Sequence, residues 1–101
     1  MRNQVVLVGR LVGNPILEEN EKKVCNITLA VPRSYKNDEG IYDTDFIKCI
    51  LWNSIAEHTV EYCNKGDVIG VKGRLTCLGG SELQVVAEKI TFLSNYKNKE
   101  E

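Results

Sequence analysis

The sequence lacks any long run of apolar residues. Hydrophobic residues make up 43% of its 101 positions, but polar residues interrupt every apolar stretch well before the roughly 20 residues that a membrane-spanning helix needs. The residues that follow Arg2 also lack the apolar core of a secretory signal peptide. We therefore expect a cytoplasmic protein of one domain, because this length is enough for a single hydrophobic core without disulfide or metal support.

Histidine is almost absent, and the cysteines do not form metal-binding motifs. His58 is the single histidine and the four cysteines include no C-x-x-C pair, so we expect no metal site. Cys25, Cys49 and Cys77 fall in apolar strands, and we expect them to be small buried core residues in a reducing compartment. The sequence also shows no nucleophile with a base, no carboxylate pair at a plausible catalytic site and no phosphate-binding glycine motif. We therefore predict that the chain is not an enzyme and uses no cofactor.

Net charge is close to zero, but the charges are unevenly distributed along the chain. Lys and Arg number 13 and Asp and Glu number 14, which gives a formal net charge of −1. Residues 4–12, 24–37, 46–53 and 68–78 contain no acidic residue. The cations in these segments are Arg10, Arg33, Lys36, Lys48, Lys72 and Arg74. We predict that basic strands joined by acidic connections present a positive groove to a polyanion.

The most informative stretch is the predicted strand over residues 44–53. It is dense in aromatic and β-branched residues and contains no Gly or Pro, which is typical of a strand. Strand side chains alternate between two faces, so one face carries two aromatics, a cation and an aliphatic residue. These are Phe46, Lys48, Ile50 and Trp52, and the opposite, ordinary core face carries Ile47, Cys49 and Leu51.

Rings and a cation on one strand face are what a single-stranded nucleic acid needs. Bases stack on the rings, and a phosphate contacts the ammonium group of Lys48. The alternative interpretation is a second core face, in which the lysine stem packs and its charged end reaches solvent. The strand by itself does not decide between the two.

The predicted elements are three strands, one helix and two strands, in that order. We expect strands at residues 4–12, 23–32, 44–53, 67–77 and 82–93, a helix at 54–64, and an additional short strand at 16–17. A polar loop over 33–43 places Tyr35 between Arg33 and Lys36. Short, glycine-bent strands with one helix between the third and fourth predict an all-β OB-fold, a five-stranded Greek-key barrel, with a generic small barrel as the alternative.

Several segments, taken in order, resemble the DNA-binding domain of bacterial single-stranded DNA-binding proteins. They are VLVGRL at 6–11, ITLAV at 27–31 with RSY at 33–35, Ala56-Glu57 with Tyr62, and KGDVIGVKGRL at 65–75. The resemblance covers nearly the whole chain. It implies an OB-fold domain over residues 1–95 that coats single-stranded DNA in replication, recombination and repair. It also implies a homotetramer in the bacterial cytoplasm, associated with the nucleoid.

The resemblance assigns roles to individual residues as well. The family stacks bases on aromatics in the loop after the second strand and on the third strand, positions that match Tyr35, Phe46 and Trp52. Its basic contacts match Lys48, with further matches at Arg10, Arg33, Lys72 and Arg74, and Lys36 lies beside Tyr35 in the same loop. This stacking face agrees with the face derived independently from alternation.

Two departures from the family pattern concern a loop and the C-terminal end. Many members have a longer loop between the fourth and fifth strands with a further stacking ring, whereas residues 78–81 are short and lack an aromatic. Residues 96–101 are a short charged end, where the usual members continue into a flexible tail with an acidic, hydrophobic tip. We therefore expect this chain to bind DNA without recruiting other replication proteins.

Two other functions fit parts of the pattern. A replication-restart protein of the primosomal replication protein N type is a small, tail-less, dimeric relative. An OB-fold that binds protein or oligosaccharide would use the strand aromatics to line a different groove.

Oligomerisation is expected from the residues themselves, because strand 4–12 is apolar on both faces and apolar strands near an edge favour closed symmetric assemblies.

Overall fold

Strands make up most of the structure, a computed structural model that describes residues 1–19, 22–80 and 82–94. In these residues the elements are β1 Val5–Leu11, β2 Glu18–Glu19, β3 Lys23–Lys36, β4 Tyr42–Trp52, α1 Asn53–Tyr62, β5 Val68–Leu78 and β6 Glu82–Ser94. The charged end predicted at 96–101 lies outside the described residues. The five long strands and the helix appear in the predicted order, whereas the additional strand lies at Glu18–Glu19 and not at residues 16–17.

Five of the strands close into a barrel because β1 pairs along both of its edges. The order is β1-β5-β6-β4-β3, and β1 returns to β3 where Leu11 pairs with Leu29. Neighbouring strands are antiparallel except β4 and β6, which run parallel and align Cys49 with Val85. The helix lies between β4 and β5 in the chain and packs against β3, β4 and β6. This arrangement is the predicted OB-fold, and the prediction is confirmed.

The barrel core is built from one face of each long strand. Because strand side chains alternate, every second residue points inward. The largest fully buried aliphatic side chains are Leu11, Leu29, Leu51, Ile69, Val71 and Val85. Ala56 of α1 is also fully buried in this core. The inward face of β4 is thus committed to the core, and its outward face is left for other contacts.

The hairpin between β3 and β4 is longer than the sequence predicts. The region predicted as a loop at 33–43 is mostly strand, because β3 continues to Lys36 and β4 begins at Tyr42. Pro32 was expected to end the second strand, since it has no N–H to donate to the ladder. The ladder instead changes register between Pro32 and Lys36 and then continues. The turn is confined to residues 37–41, where the Asn37 side chain accepts hydrogen bonds from two backbone N–H groups.

The cysteines divide into three that are buried and one that is exposed. Cys25, Cys49 and Cys63 are buried, as expected for Cys25 and Cys49, whereas Cys77 is exposed and its prediction is wrong. The reason is that β5 and β6 extend beyond the barrel, so the inward side of their hairpin meets no opposite wall. Burial raises the pKa of the Cys49 and Cys63 thiols to about 11, and it also raises the pKa of Cys25.

One thiol of the folded protein should therefore react with an aromatic disulfide reagent at pH 8, and three more should react only after unfolding. A thiol with a pKa near 11 is thiolate in roughly one molecule per thousand at this pH, and burial blocks access as well. Cys77→Ser should remove the fast phase, whereas Cys25→Ala should leave it. A fast phase of two or more thiols in the native protein would contradict this assignment.

Candidate nucleic-acid interface

Strand β4 has two faces of opposite character, as alternation predicts. Its inward residues Cys49 and Leu51 are buried in the barrel core. On the outward face, Phe46 is 66% exposed, and the side chain of Lys48 projects into solvent beside it. A large aromatic ring held open on a rigid strand is unusual in a folded protein unless it contacts a partner. The outward face around Phe46 and Lys48 is therefore the candidate interface.

The far end of this face is less open than its centre. Ile50 is only 8% exposed, and Trp52, next to the start of α1, is half-buried. The ammonium of Lys22 lies 5.7 Å from the centroid of the Trp52 ring, within the range of a cation–π contact. Phe46 and Trp52 are six residues apart on one strand, about 20 Å along its axis. The two rings are therefore too far apart to enclose one base between them.

Small residues of β3 keep the Phe46 ring uncovered. Ala30 pairs with Phe46 across the β3–β4 ladder, and Arg10 of β1 pairs with Ala30 from the other edge. Arg10 and Phe46 therefore lie on the same outer surface, two strands apart, or about 10 Å at the usual strand spacing. The Arg10 guanidinium donates a hydrogen bond of 2.6 Å to the carbonyl oxygen of Gly66, which restricts where it points.

A groove separates this face from the β5–β6 hairpin. Phe46 and Lys48 line one side of it, and Leu75, Glu82 and Leu83 are among the residues on the other side. The residue pattern does not reveal this wall, because Leu75 lies on the same face of its strand as Ile69 and Val71, which are buried in the core. The strand extends beyond the end of the barrel, so Leu75 is exposed. Strand lengths of 11 and 13 residues for β5 and β6, far above the average, are the signal that could have revealed it.

The β3–β4 hairpin adds aromatic residues at its open end. Tyr35 is exposed, and the Lys36 ammonium lies 5.7 Å from the centroid of the Tyr42 ring. Tyr42 is exposed and stands four residues before Phe46 on β4, so both rings belong to the same face. The sequence prediction missed Tyr42 because it placed this residue in a loop. Extending the alternation back from Phe46 by two steps would have found it.

Arg33 lies on the opposite side of that hairpin. Its guanidinium donates hydrogen bonds to both oxygens of the Asp45 carboxylate, the shortest from Nη2 to Oδ1 at 2.9 Å. The guanidinium Nη1 also lies 3.7 Å from Oδ2 of Asp43. Asp45 shares the face of the inward residues of β4, so this pair is directed away from Phe46. Hydrogen bonds from Arg33 lower the pKa of the Asp45 carboxyl, so this carboxylate stays ionised to a lower pH than an unpaired aspartate does.

The two predicted cations of β5 lie at different distances from the candidate interface. Arg74 pairs with Val86 of β6, and Val86 in turn borders β4, while the Arg74 Nε lies 3.7 Å from Glu88. Lys72 pairs with Val6 of β1 and Lys89 of β6, beyond the short stretch where β6 meets β4. The structure thus groups Lys48 and Arg10 with Phe46, leaves Arg74 two strands from β4, and places Lys72 and Arg33 elsewhere.

Acids on neighbouring strands neutralise three of the six cations that were expected to form a positive groove. Arg33, Lys48 and Arg74 each have a carboxylate within 4 Å, supplied by Asp45, Glu82 and Glu88. These acids lie outside the acid-free segments, but β-pairing brings β4 beside β3 and β6 beside β4 and β5. Charge separation along the chain therefore does not become charge separation on the surface.

No group of three or more His, Cys, Asp or Glu side chains in residues 1–19, 22–80 and 82–94 converges in a way that could hold a metal ion. In the same part of the chain, no helix is both long enough and apolar enough to cross a membrane.

Comparison with known proteins gives consistent matches. Residues 2–93 match the single-strand binding protein family. The single-stranded DNA-binding protein B of Bacillus subtilis (strain 168) is 47% identical over 77 residues, which cover 74% of this chain and 68% of that protein. The single-stranded DNA-binding protein 3 of Listeria innocua is 37% identical over 108 residues, covering 97% and 68%. The single-stranded DNA-binding protein of Halalkalibacterium halodurans is 39% identical over 103 residues, covering 92% and 61%.

Proposed function

Because this chain belongs to the single-strand binding protein family, we propose that it binds single-stranded DNA without sequence preference and protects it in replication, recombination and repair. The observation that carries the proposal is the exposed Phe46 ring beside Lys48 on the outward face of β4. The activity is binding without catalysis. A bacterial cytoplasmic location with the nucleoid follows from this role, and residues 1–95 form the binding domain.

Stacking on β4 supplies the selectivity for single strands. Unpaired bases stack on Phe46 and on the open side of Trp52, and every base has a ring face, so this contact tolerates any sequence. A duplex keeps its bases inside the helix and offers only its backbone. Lys48 lies between the two rings along the strand, where the phosphates of a stacked chain pass. Arg10 lies two strands from Phe46 and extends the basic contacts across β1.

The other predicted residues take peripheral places in this proposal. Lys36 and Tyr42 extend the surface along the β3–β4 hairpin, and Tyr42 adds a third ring on the face of Phe46. Tyr35 has weaker support, because it is adjacent to Lys36, which pairs with Tyr42, and alternation therefore turns it to the opposite side of the hairpin. Arg74 extends it toward β5. Arg33 and Lys72 have weaker support, because one is paired with Asp45 on the other face and the other lies between β1 and β6.

A homo-oligomer, most simply a homotetramer, completes the proposal. Val6 and Val8 on the outward face of β1 are exposed apolar residues, with Val6 at 70%. In the described residues, β1 pairs with β5 from Val5 onward, but with β3 only at Arg10 and Leu11. Most of one edge of β1 is thus open beside an apolar surface, which is a site for association with a second copy.

The binding test compares oligo-dT with a duplex of the same length. We expect tight binding to oligo-dT, quenching of the single tryptophan, Trp52, and little binding to the duplex. Affinity for oligo-dT should fall with salt, with a log–log slope of about −0.7 for each phosphate neutralised. Equal affinity for the two ligands would rule out the proposed function.

Replacing Phe46 with Ala should weaken binding to oligo-dT by about 1–3 kcal/mol, the usual cost of losing one stacking platform. Stability should change by less than about 0.5 kcal/mol, because an exposed side chain contributes little to the core. Ile16→Ala, which truncates an equally exposed apolar residue elsewhere, is the matched control. Fluorescence titration and urea unfolding measure the two quantities. If Phe46→Ala binds as tightly as Ile16→Ala, β4 is not the stacking strand.

A positive charge on β1 should dissociate the assembly. Val6→Lys places a charge at the proposed interface between copies, whereas Ile16→Lys places the same charge at a position that is also 70% exposed. Sedimentation velocity should show a smaller species for Val6→Lys and an unchanged assembly for Ile16→Lys. A wild-type monomer at high micromolar concentration would refute the oligomer, and equal dissociation by both variants would refute its placement on β1.

A further inference from the structure

Glu82 lies within the candidate interface although it carries the charge that DNA repels. Its carboxylate Oε1 is 3.0 Å from the ammonium of Lys48, and the two residues are 34 positions apart in the chain. Glu82 is at the start of β6 and lines the same groove as Phe46. The parallel ladder of β4 and β6 consists of Cys49 with Val85 and Ile50 with Val86, and toward Phe46 and Glu82 the two strands form opposite sides of this groove. The carboxylate therefore lies where the backbone of a strand stacked on Phe46 would pass.

The Lys48–Glu82 ion pair contributes too little to folding stability to explain its presence. Both side chains are more than half exposed, at 63% for Lys48 and 58% for Glu82. Exposed ion pairs of this kind contribute little to folding, because water screens the charges and two flexible side chains lose freedom. In the free protein, the carboxylate occupies the same ammonium group that a phosphate would contact. A phosphate that binds Lys48 must therefore displace Glu82 and remain near its negative charge.

We propose that Glu82 is an internal competitor of the DNA phosphate at Lys48, which limits the affinity and the residence time of a single strand on this face. The inference rests on the proposed function and adds a residue that sets its strength. Stacking on Phe46 and Trp52 holds the strand in place, and the Glu82 carboxylate returns to Lys48 whenever the phosphate leaves. The Glu82 carboxylate thus stabilises the Lys48 ammonium each time the phosphate leaves. The DNA strand therefore dissociates faster than it would from a lysine without an acidic neighbour.

The ion pairs of Arg33 and Arg74 do not have this geometry. Asp45 holds Arg33 on the side of the hairpin that faces away from Phe46, and Glu88 lies 3.7 Å from Arg74 on β5. Glu82 differs because its partner stands between the two rings of β4. The Lys23–Glu57 pair, at 2.8 Å, joins β3 to α1 and offers a control with the same kind of contact.

The experiment measures binding of the full chain to oligo-dT for Glu82→Gln and for Glu57→Gln, which change net charge equally. We expect Glu82→Gln to bind about two- to fivefold more tightly, the range set by breaking one exposed ion pair. Most of the gain should appear as slower dissociation in stopped-flow displacement with excess oligo-dT. The salt slope should become steeper by about 0.7, equivalent to one more phosphate contact. Glu57→Gln should bind as the wild type does.

A second background separates local competition from general repulsion. In Lys48→Ala no ammonium is left to compete for, so Glu82→Gln should give a smaller gain there than in the wild type. An equal gain in both backgrounds, or a gain no larger than that of Glu57→Gln, would overturn the inference while leaving the proposed function intact. A wild-type chain that fails to bind oligo-dT would overturn both. A lowered melting temperature of Glu82→Gln with unchanged binding would assign Glu82 to the hairpin structure alone and would also overturn the inference.

Discussion

Alternation along β4 is the constraint on which the rest of the candidate site depends. The barrel needs Cys49 and Leu51 inside, so the backbone geometry of a strand forces Phe46 and Lys48 outside. A shift of one residue would bury Lys48 and expose the core, at a cost that no surface contact could offset. The core thus fixes the direction of the Phe46 ring. Closure of the barrel through β1 then brings Arg10 to the same surface, with only Ala30 between it and Phe46.

The same pairing that builds the surface also moderates its charge. Arg33, Lys48 and Arg74 each lie within reach of an acid on a neighbouring strand and have a carboxylate partner there. Rings and aliphatic side chains therefore dominate the face in the free protein, with paired charges between them. Such a surface favours ligands that offer stacking together with phosphate, which is the chemistry of a single strand and not of a duplex.

Long hairpins extend the face beyond the barrel. The β3–β4 hairpin past Pro32 and the β5–β6 hairpin past Leu75 form ladders that extend beyond the core. Large side chains there, such as Tyr35, Tyr42 and Leu83, are therefore exposed. Exposure of Cys77 and Leu83 has this cause, and so does the groove beside Phe46. Prediction from residue pattern placed these segments in loops or in the core. Pattern distinguishes a strand from a loop and one face from the other, but it does not tell where the barrel beneath a strand ends.

Residue order alone was sufficient for the order of the elements, the OB-fold, the two faces of β4 and the resemblance that pointed to single-stranded DNA. All of these depend on local periodicity or on short segments, which are present in the sequence before any tertiary contact forms. The pairing register between strands was decided only by the tertiary structure, because it depends on which strands become neighbours and on how far each strand is shifted along the next. Register pairs Lys48 with Glu82 across 34 residues and turns Arg33 toward Asp45. It also separates Lys72 from Phe46, since long-range contacts of this kind have no trace in the spacing of residues along the chain.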